Sequence, residues 1–323
     1  MKTHAIIPIF IPHEGCPHSC IFCNQNIITA KAEPVTASDA AGVIEAWLAT
    51  LGRRGLTSVG AAFYGGSFTG LPKERQSEYL EAARYYKDRG LISEIRLSTR
   101  PDYIDDEILS NLKRHGVDAV ELGVQSFDDD VLARSNRCHD SECARKSSLM
   151  VRDYGFRLGI QLMIGLPADT EEKDIFSAVE LVRLKPEDAR LYPAVVLPGT
   201  GLERMHAAGE YTPLALEEAV RVTKKMYKII SSAGVNIIRV GLKNYIHPAF
   251  RQLVESEIAR DELEGQLDPV PGSFVFACNG KSFSNMVGHK GANKAYFKAK
   301  YPLHKISYAV DDAQRDGRYT VTR

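Results

Sequence analysis

The chain has 323 residues, 44% of them hydrophobic, and its 41 basic side chains balance 41 acidic ones. A length and apolar content of this order suit one large domain with a small appendage, and zero net charge excludes a globally basic nucleic-acid binder while leaving room for a local basic patch. Six cysteines in so long a chain do not make the disulfide framework of a small secreted domain. Residues 5–12 are too short an apolar run to cross a membrane, and no basic leader with a cleavage site precedes them. The cytoplasm is the expected compartment, with no membrane partner.

In chain order, residues 5–11 read as a strand. After it, Gly15-Cys16-Pro17-His18-Ser19-Cys20-Ile21-Phe22-Cys23-Asn24 carries a C-x3-C-x2-C spacing. Three thiolates in one short loop can hold three corners of a [4Fe–4S] cluster, which usually takes four cysteines, so one iron stays open. A structural zinc knuckle with His13 or His18 as its fourth ligand is the alternative. Further strands are expected at 59–64, 94–98, 119–124, 157–164, 189–196 and 236–240. Amphipathic helix patterns lie between them at 39–51, 72–89, 105–115, 141–154, 171–184 and 215–233; in the last, Leu216, Ala219, Val220, Thr223, Met226, Tyr227 and Ile230 recur at helical steps. Gly52, Gly90, Gly116, Gly155 and Gly234 follow these helices, where glycine takes the left-handed closing conformation. Such alternation predicts an α/β fold, a partial or full parallel βα barrel over residues 1–245, with its site at the C-terminal strand ends.

The cysteine loop resembles the signature of the radical S-adenosylmethionine enzymes, C-x3-C-x-Φ-C with Φ aromatic, here Phe22. The resemblance implies that Cys16, Cys20 and Cys23 bind a [4Fe–4S] cluster and that S-adenosylmethionine chelates the open iron. It implies too that the reduced cluster cleaves the sulfonium to a 5′-deoxyadenosyl radical, fed by an electron donor such as flavodoxin or ferredoxin. Tyr64-Gly65-Gly66-Ser67-Phe68 resembles the family's glycine pair, whose backbone binds the S-adenosylmethionine amino group; a plain turn is the alternative. Arg100, after the third strand, can clamp the methionine carboxylate or form an ion pair. Glu121 and Gln125 lie amid apolar residues, where unpaired polar groups are costly; they belong either to the S-adenosylmethionine shell or to hydrogen bonds inside the barrel. Gln161-Leu162-Met163-Ile164-Gly165-Leu166-Pro167 resembles the adenine-contacting strand and loop, with Gly165 at the turn.

The resemblance narrows at Glu121-Leu122-Gly123-Val124-Gln125-Ser126, at Asn136-Arg137 with His139, and at Tyr192-Pro193 with Gly199-Thr200-Gly201-Leu202. These look like the radical domain of the Elongator catalytic subunit, a modifier of tRNA wobble uridines, over roughly residues 1–255. The cluster spacing is shorter than Elongator's, and Arg323 leaves no room for an acetyltransferase domain, so acetyl-coenzyme A is not expected. The implied activity is radical modification of a structured RNA, tRNA or rRNA. Two rivals remain: radical chemistry on a porphyrin or other small molecule, and an RNA-binding protein whose cluster is structural or redox-sensing. Cys138, Cys143 and Cys278 form an auxiliary cluster site or are ordinary cysteines.

Residues 246–323 read as a small α+β appendage. A helix at 251–263 precedes a linker at 266–272, a strand at 273–277 and a short helix at 282–287. Gly288-His289-Lys290-Gly291 follows, then a helix at 292–300 and strands at 304–310 and 318–322. From residue 269 to 310 there is no acid, but there are six lysines, Lys281, Lys290, Lys294, Lys298, Lys300 and Lys305, and two histidines. The order resembles a KH module, whose GxxG loop sets its backbone against phosphates, here with Gly288, His289, Lys290, Gly291 and Lys294 as the expected RNA contacts. A solvated helical hairpin is the alternative.

Overall fold

The computed structural model describes residues 4–11, 16, 20–24, 35–51, 56–242 and 245–323. Gly15, Pro17, His18 and Ser19 of the cysteine motif, together with His13 and Gly52, lie outside the described residues. Seven strands form one sheet in sequence order: β1 (His4–Ile11), β2 (Ser58–Gly65), β3 (Glu94–Thr99), β4 (Ala119–Gln125), β5 (Arg157–Ile164), β6 (Asp188–Pro193) and β7 (Asn236–Val240). The pairs from β1 to β6 are parallel. β1 and β7 are its two edges, so the strands make a curled half-barrel, the partial form of the expected barrel.

The connecting helices are α1 (Ala37–Leu51), α2 (Lys73–Asp88), α3 (Asp106–Arg114), α4 (Asp129–Arg134), α5 (Ser141–Asp153), α6 (Glu171–Leu184), α7 (Gly201–Ala207) and α8 (Leu216–Ser232). Their starts are written into the chain. Asp105, Asp128, Asp140, Thr170 and Thr200 each accept a hydrogen bond from the backbone N–H three residues on. Each such cap stabilises its helix by about 1 kcal/mol.

Alternation along the strands gives the sheet two chemically distinct faces. One face carries Ile95, Leu97, Val120, Leu122, Leu158, Ile160, Ala189 and Leu191, all at most 1% exposed, and is covered by the helices. The other face is polar and built in register layers. Glu94, Arg96, Arg157 and Asp188 lie near its base, where Arg157 pairs with Glu94 and Arg96 with Asp188. Above them Ser98, Glu121 and Arg190 share one network. Gly60 and Gly159 make room for it: a Cβ at Gly60 would lie 2.5 Å from Glu94 Cγ, and one at Gly159 3.2 Å from Glu121 Cγ.

The chain divides into two compact units, residues 1–213 with 230–238 and residues 214–229 with 239–323. Residues 214–229 and 239–242, read as barrel from the sequence, group with the second unit. That unit contains α9 (Phe250–Gln266), β8 (Ser273–Cys278), α10 (Phe283–Val287), a 3₁₀ turn at His289–Gly291, α11 (Ala292–Lys300), β9 (Lys305–Val310) and β10 (Thr320–Thr322). Its sheet order is β10-β8-β9, with β9 parallel and β10 antiparallel to β8. Leu263, Phe274, Phe276, Met286 and Phe297 make its core, with Phe276 and Phe297 edge to face at 4.9 Å between ring centroids.

Candidate radical-chemistry site

The C-terminal ends of β1 to β6 carry the residues singled out by sequence. The cysteine segment is tied down by backbone: Ile21 N–H donates to Ser135 O at 3.2 Å, Leu202 N–H to Ile21 O at 2.7 Å, and Cys23 N–H to Cys20 O at 3.0 Å. Asn24 Nδ2 donates to Pro198 O at 2.8 Å. Gly201 allows the approach, since a Cβ there would lie 3.1 Å from Ile21 Cβ. Thus Ser135 and the 198–202 stretch, with its Gly199-Thr200-Gly201-Leu202 motif, hold the segment that carries the thiols.

Cys20 is buried, and Cys16 and Cys23 are half-buried. Burial pushes the Cys23 thiol up to about 12, and the neighbouring Cys20 and Cys16 push it further in that direction, while Arg137 and Arg100 pull it down. Cys20 and Cys16 thus lie near enough to Cys23 to act on it, and holding three thiolates together calls for positive charge. Among the described residues no group of three or more His, Cys, Asp or Glu is placed to hold a single metal ion. Three such sulfurs flanked by two guanidinium groups fit a larger centre such as an iron–sulfur cluster, which spreads its thiolates over separate irons.

Arg100 is 4% exposed, so it is neither a surface ion pair nor an unengaged clamp. Its Nε and Nη2 each lie 2.9 Å from an Asp102 carboxylate oxygen, Nη2 also donates to Arg137 O, and Nη1 lies 3.5 Å from Cys20 Sγ. The sequence reading gave Arg137 no role of its own. It is equally buried, with Nη1 3.2 Å from Cys20 Sγ and Nη2 on Gly123 O and His139 Nε2. Burial, reinforced by the Arg137 charge, pulls His139 down to about 4, so its ring is neutral near pH 7.

Gly65 and Gly66 form the end of β2 against the end of β1. Gly66 N–H donates to Ile11 O at 3.0 Å, and a Cβ on Gly65 would sit 2.3 Å from that oxygen at φ +120°. A small pocket beside them is lined by Tyr64, Gly66, Ser67, Phe68 and Ser98. Ser67 Oγ is 2.9 Å from Thr99 Oγ1 and accepts from Arg100 N–H at 3.1 Å, welding β2 to β3. Glu121 is likewise engaged: Oε1 accepts from Ser98 Oγ at 3.0 Å and Oε2 from Arg190 Nε at 2.7 Å. Arg190 also donates to the hydroxyls of Tyr64 at 2.7 Å and Tyr192 at 3.2 Å. Burial opposes the Arg190 charge, but Glu121, Tyr192 and Tyr64 together outweigh it and hold the guanidinium above its ordinary value. Arg190 and Tyr64 were not singled out by sequence; their signal was parity, since both alternate onto the Glu121 face. Gln125 has φ +74° at a register shift, and its Oε1 accepts from Gln161 Nε2 at 3.1 Å. Gly165, at φ +70°, offers its carbonyl to Tyr211 Oη at 2.7 Å.

Cys138 is exposed, Cys143 starts α5, and Cys278 is fully buried in the apolar core of the second unit. In that unit the GxxG stretch makes a tight corner. A Cβ on Gly288 would lie 2.6 Å from Asn293 N, whereas one on Gly291 meets open space. His289 is half-buried, with Nδ1 3.2 Å from Gln252 Oε1 and its ring edge-on to His247. The acid-free segment receives acids from elsewhere in the unit: Lys281 pairs with Asp316 at 3.0 Å and Lys300 with Glu264 at 2.7 Å. Lys290, Lys294, Lys298 and Lys305 are exposed, with Lys294 Nζ 4.7 Å from the Tyr308 ring centroid.

A parallel half-barrel with three cysteines beyond β1 and a glycine pair ending β2 defines a class of enzyme that starts its chemistry from S-adenosylmethionine. Residues 10–179 match the radical SAM superfamily and residues 186–260 the Radical_SAM C-terminal domain. The chain belongs to the radical SAM superfamily. It is 27% identical over 256 residues to the tRNA uridine(34) acetyltransferase of Methanocaldococcus jannaschii, covering 68% of this chain and 47% of that protein. It is 27% identical over 186 residues to Elongator complex protein 3 of Mus musculus, covering 51% of this chain and 34% of that one. The chain thus spans less than half the length of either relative. The solved archaeal Methanocaldococcus infernus Elp3 with an N-terminal deletion superposes with a TM-score of 0.63 at 20% identity, covering 80% of this chain and 64% of that one.

Proposed function

We propose that this chain is a radical S-adenosylmethionine enzyme that modifies RNA, most directly a tRNA nucleoside. The observation that carries the reading is the gathering of Cys16, Cys20 and Cys23 with Arg100 and Arg137 at the mouth of the half-barrel, in a chain similar to tRNA uridine(34) acetyltransferases. In this reading the three cysteines hold a [4Fe–4S] cluster, which when bound supplies one-electron reduction of the S-adenosylmethionine sulfonium. Gly65, Gly66 and Gly165 let backbone approach S-adenosylmethionine, and Gln125, with Gln161, presents amide groups toward it. Ser67, Arg100 and Glu121 complete the shell by fixing the strand ends rather than by offering unengaged groups. A one-electron donor such as a flavodoxin or ferredoxin in a reducing cytoplasm completes the system.

RNA recognition falls to the second unit. Lys294 and Lys298, four residues apart on α11, line one side of that helix, Lys290 stands in the GxxG corner before it, and Lys305 adds a fourth cation. The test is mass spectrometry of nucleosides from total tRNA of cells with and without the gene, paired with 5′-deoxyadenosine formation by the reduced protein. Appearance of one modified nucleoside only in the strain with the gene supports the reading. An unchanged nucleoside profile, with S-adenosylmethionine cleavage stimulated by a porphyrin instead, sinks the RNA assignment and leaves the radical one.

A further inference from the structure

Arg100 and Arg137 both reach Cys20 Sγ, but their charge balance differs. Arg100 is bidentate to Asp102, so the pair is close to neutral. Arg137 has no carboxylate partner among the described residues. Its partners among the described residues are a carbonyl, the His139 ring and the Cys20 sulfur, and its buried Nε has none of them. A guanidinium 4% exposed without an anion is costly. Of the described groups within its hydrogen-bond reach, only the Cys20 sulfur can carry a compensating negative charge. Its position is imposed by the fold: Arg137 N–H is bonded to Leu132 O, Arg137 O accepts from Arg100, and neutral His139 closes the other side.

We propose that Arg137 is a positioning residue for the cluster, donating a charge-assisted hydrogen bond to the Cys20 thiolate that makes the cluster easier to reduce, with the Arg100–Asp102 pair as a weaker second donor. This rests on the assignment of Cys16, Cys20 and Cys23 as the cluster ligands. The physical basis is simple. One-electron reduction adds negative charge to a centre already bound by thiolates, and hydrogen bonds to the sulfurs and nearby cations stabilise the reduced form, raising the reduction potential. A charge-assisted bond from a buried guanidinium is about twice as strong as a neutral one, so its loss should make the cluster about tenfold harder to reduce, about 59 mV for a one-electron couple.

The experiment uses the anaerobically reconstituted full chain, with iron content and an EPR-monitored dithionite titration of wild type, Arg137→Gln, Arg137→Lys and Asp102→Asn. The expected result is full iron in all four, a potential lowered by about 59 mV in Arg137→Gln, and partial recovery in Arg137→Lys. Asp102→Asn, which exposes the Arg100 charge to Cys20, should shift the potential upward. Equal potentials in loaded wild type and Arg137→Gln overturn the inference, and a simultaneous rise in the S-adenosylmethionine dissociation constant would reassign Arg137 to the methionine carboxylate. If Arg137→Gln fails to retain iron, Asp102→Asn decides: an upward shift supports the inference and no shift overturns it. Wild-type protein that takes up no iron would instead refute the cluster assignment beneath it.

Discussion

Replacing Arg190 by Met should destabilise the half-barrel far more than replacing a surface arginine. Arg190 is 9% exposed and Glu121 6%, their Nε–Oε2 separation is 2.7 Å, and Arg190 also satisfies the hydroxyls of Tyr64 and Tyr192. Removing one partner leaves Glu121 buried with Ser98 alone, and breaking a buried pair in this way costs about 3–5 kcal/mol. For a unit of this size each kcal/mol lowers Tm by about 2–4 °C, so the midpoint should fall by about 10 °C. The assay is thermal unfolding of unloaded protein followed by circular dichroism. Glu121→Leu combined with Arg190→Met removes both charges and should recover more than half of the loss, because the isolated charge, not the missing bond, dominates. A fall of less than about 2 °C in Arg190→Met, or a double variant as unstable as the sum of its singles, would refute a buried ion pair spanning the sheet.

Gly65→Ala should cost at least about 2 kcal/mol, because its Cβ would meet Ile11 backbone oxygen at 2.3 Å; Gly291→Ala, with open space around it, should lose only the left-handed penalty of about 1 kcal/mol, and equal losses in urea melts would contradict the close β1–β2 approach. Asp174 is raised by burial and then by the charge and hydrogen bond of Asp169, which burial also raises. A folded-state pKa above the unfolded value means that stability is greatest below the ordinary aspartate range and declines as pH rises; Asp174→Asn should flatten the fall in Tm between pH 6 and 9, and an unchanged slope speaks against a shared proton. With Lys281 and Lys300 paired internally, about four lysines remain for phosphate, so RNA affinity should fall with salt at a log–log slope near −2 to −3. Lys290→Asp with Lys294→Asp should reduce that slope and weaken binding while cluster content persists, and wild-type binding by this variant would remove the second unit from RNA recognition.

The alternating strands and helices were legible because the strands are short and bounded by glycine and polar punctuation, and because several long helices, α3, α5 and α6 among them, begin at a capping Asp or Thr. The short helices α4 and α7 were not, since six or seven residues give too few turns for a period to register. β6 stops at Pro193 rather than at residue 196, where the run of apolar residues continues but the ladder does not. The cysteines and glycine pair were visible as motifs, yet what surrounds them was not. Arg137 and Arg190 lie 117 and 69 residues from the partners they serve, and only the fold brings them together. Residues 214–229 likewise have the period of any amphipathic helix, and the bonds of Lys224 to Glu257 and Asp261 are contacts that no local pattern announces.

The polar face of the half-barrel also fixes where chemistry can occur. At its base Arg157 and Glu94, Arg96 and Asp188 neutralise one another, and in the middle Glu121, Arg190, Ser98 and Tyr64 do the same. These layers fill the interior with paired charges, and displacing either partner of a pair would strand the other. A ligand is therefore excluded from the lower barrel and must approach from the C-terminal strand ends. At those ends lies Arg137, a buried cation lacking a carboxylate among the described residues, with Nη1 3.2 Å from Cys20 Sγ. Under the proposed function, that buried guanidinium beside Cys20 would favour an anionic, sulfur-ligated centre at this mouth.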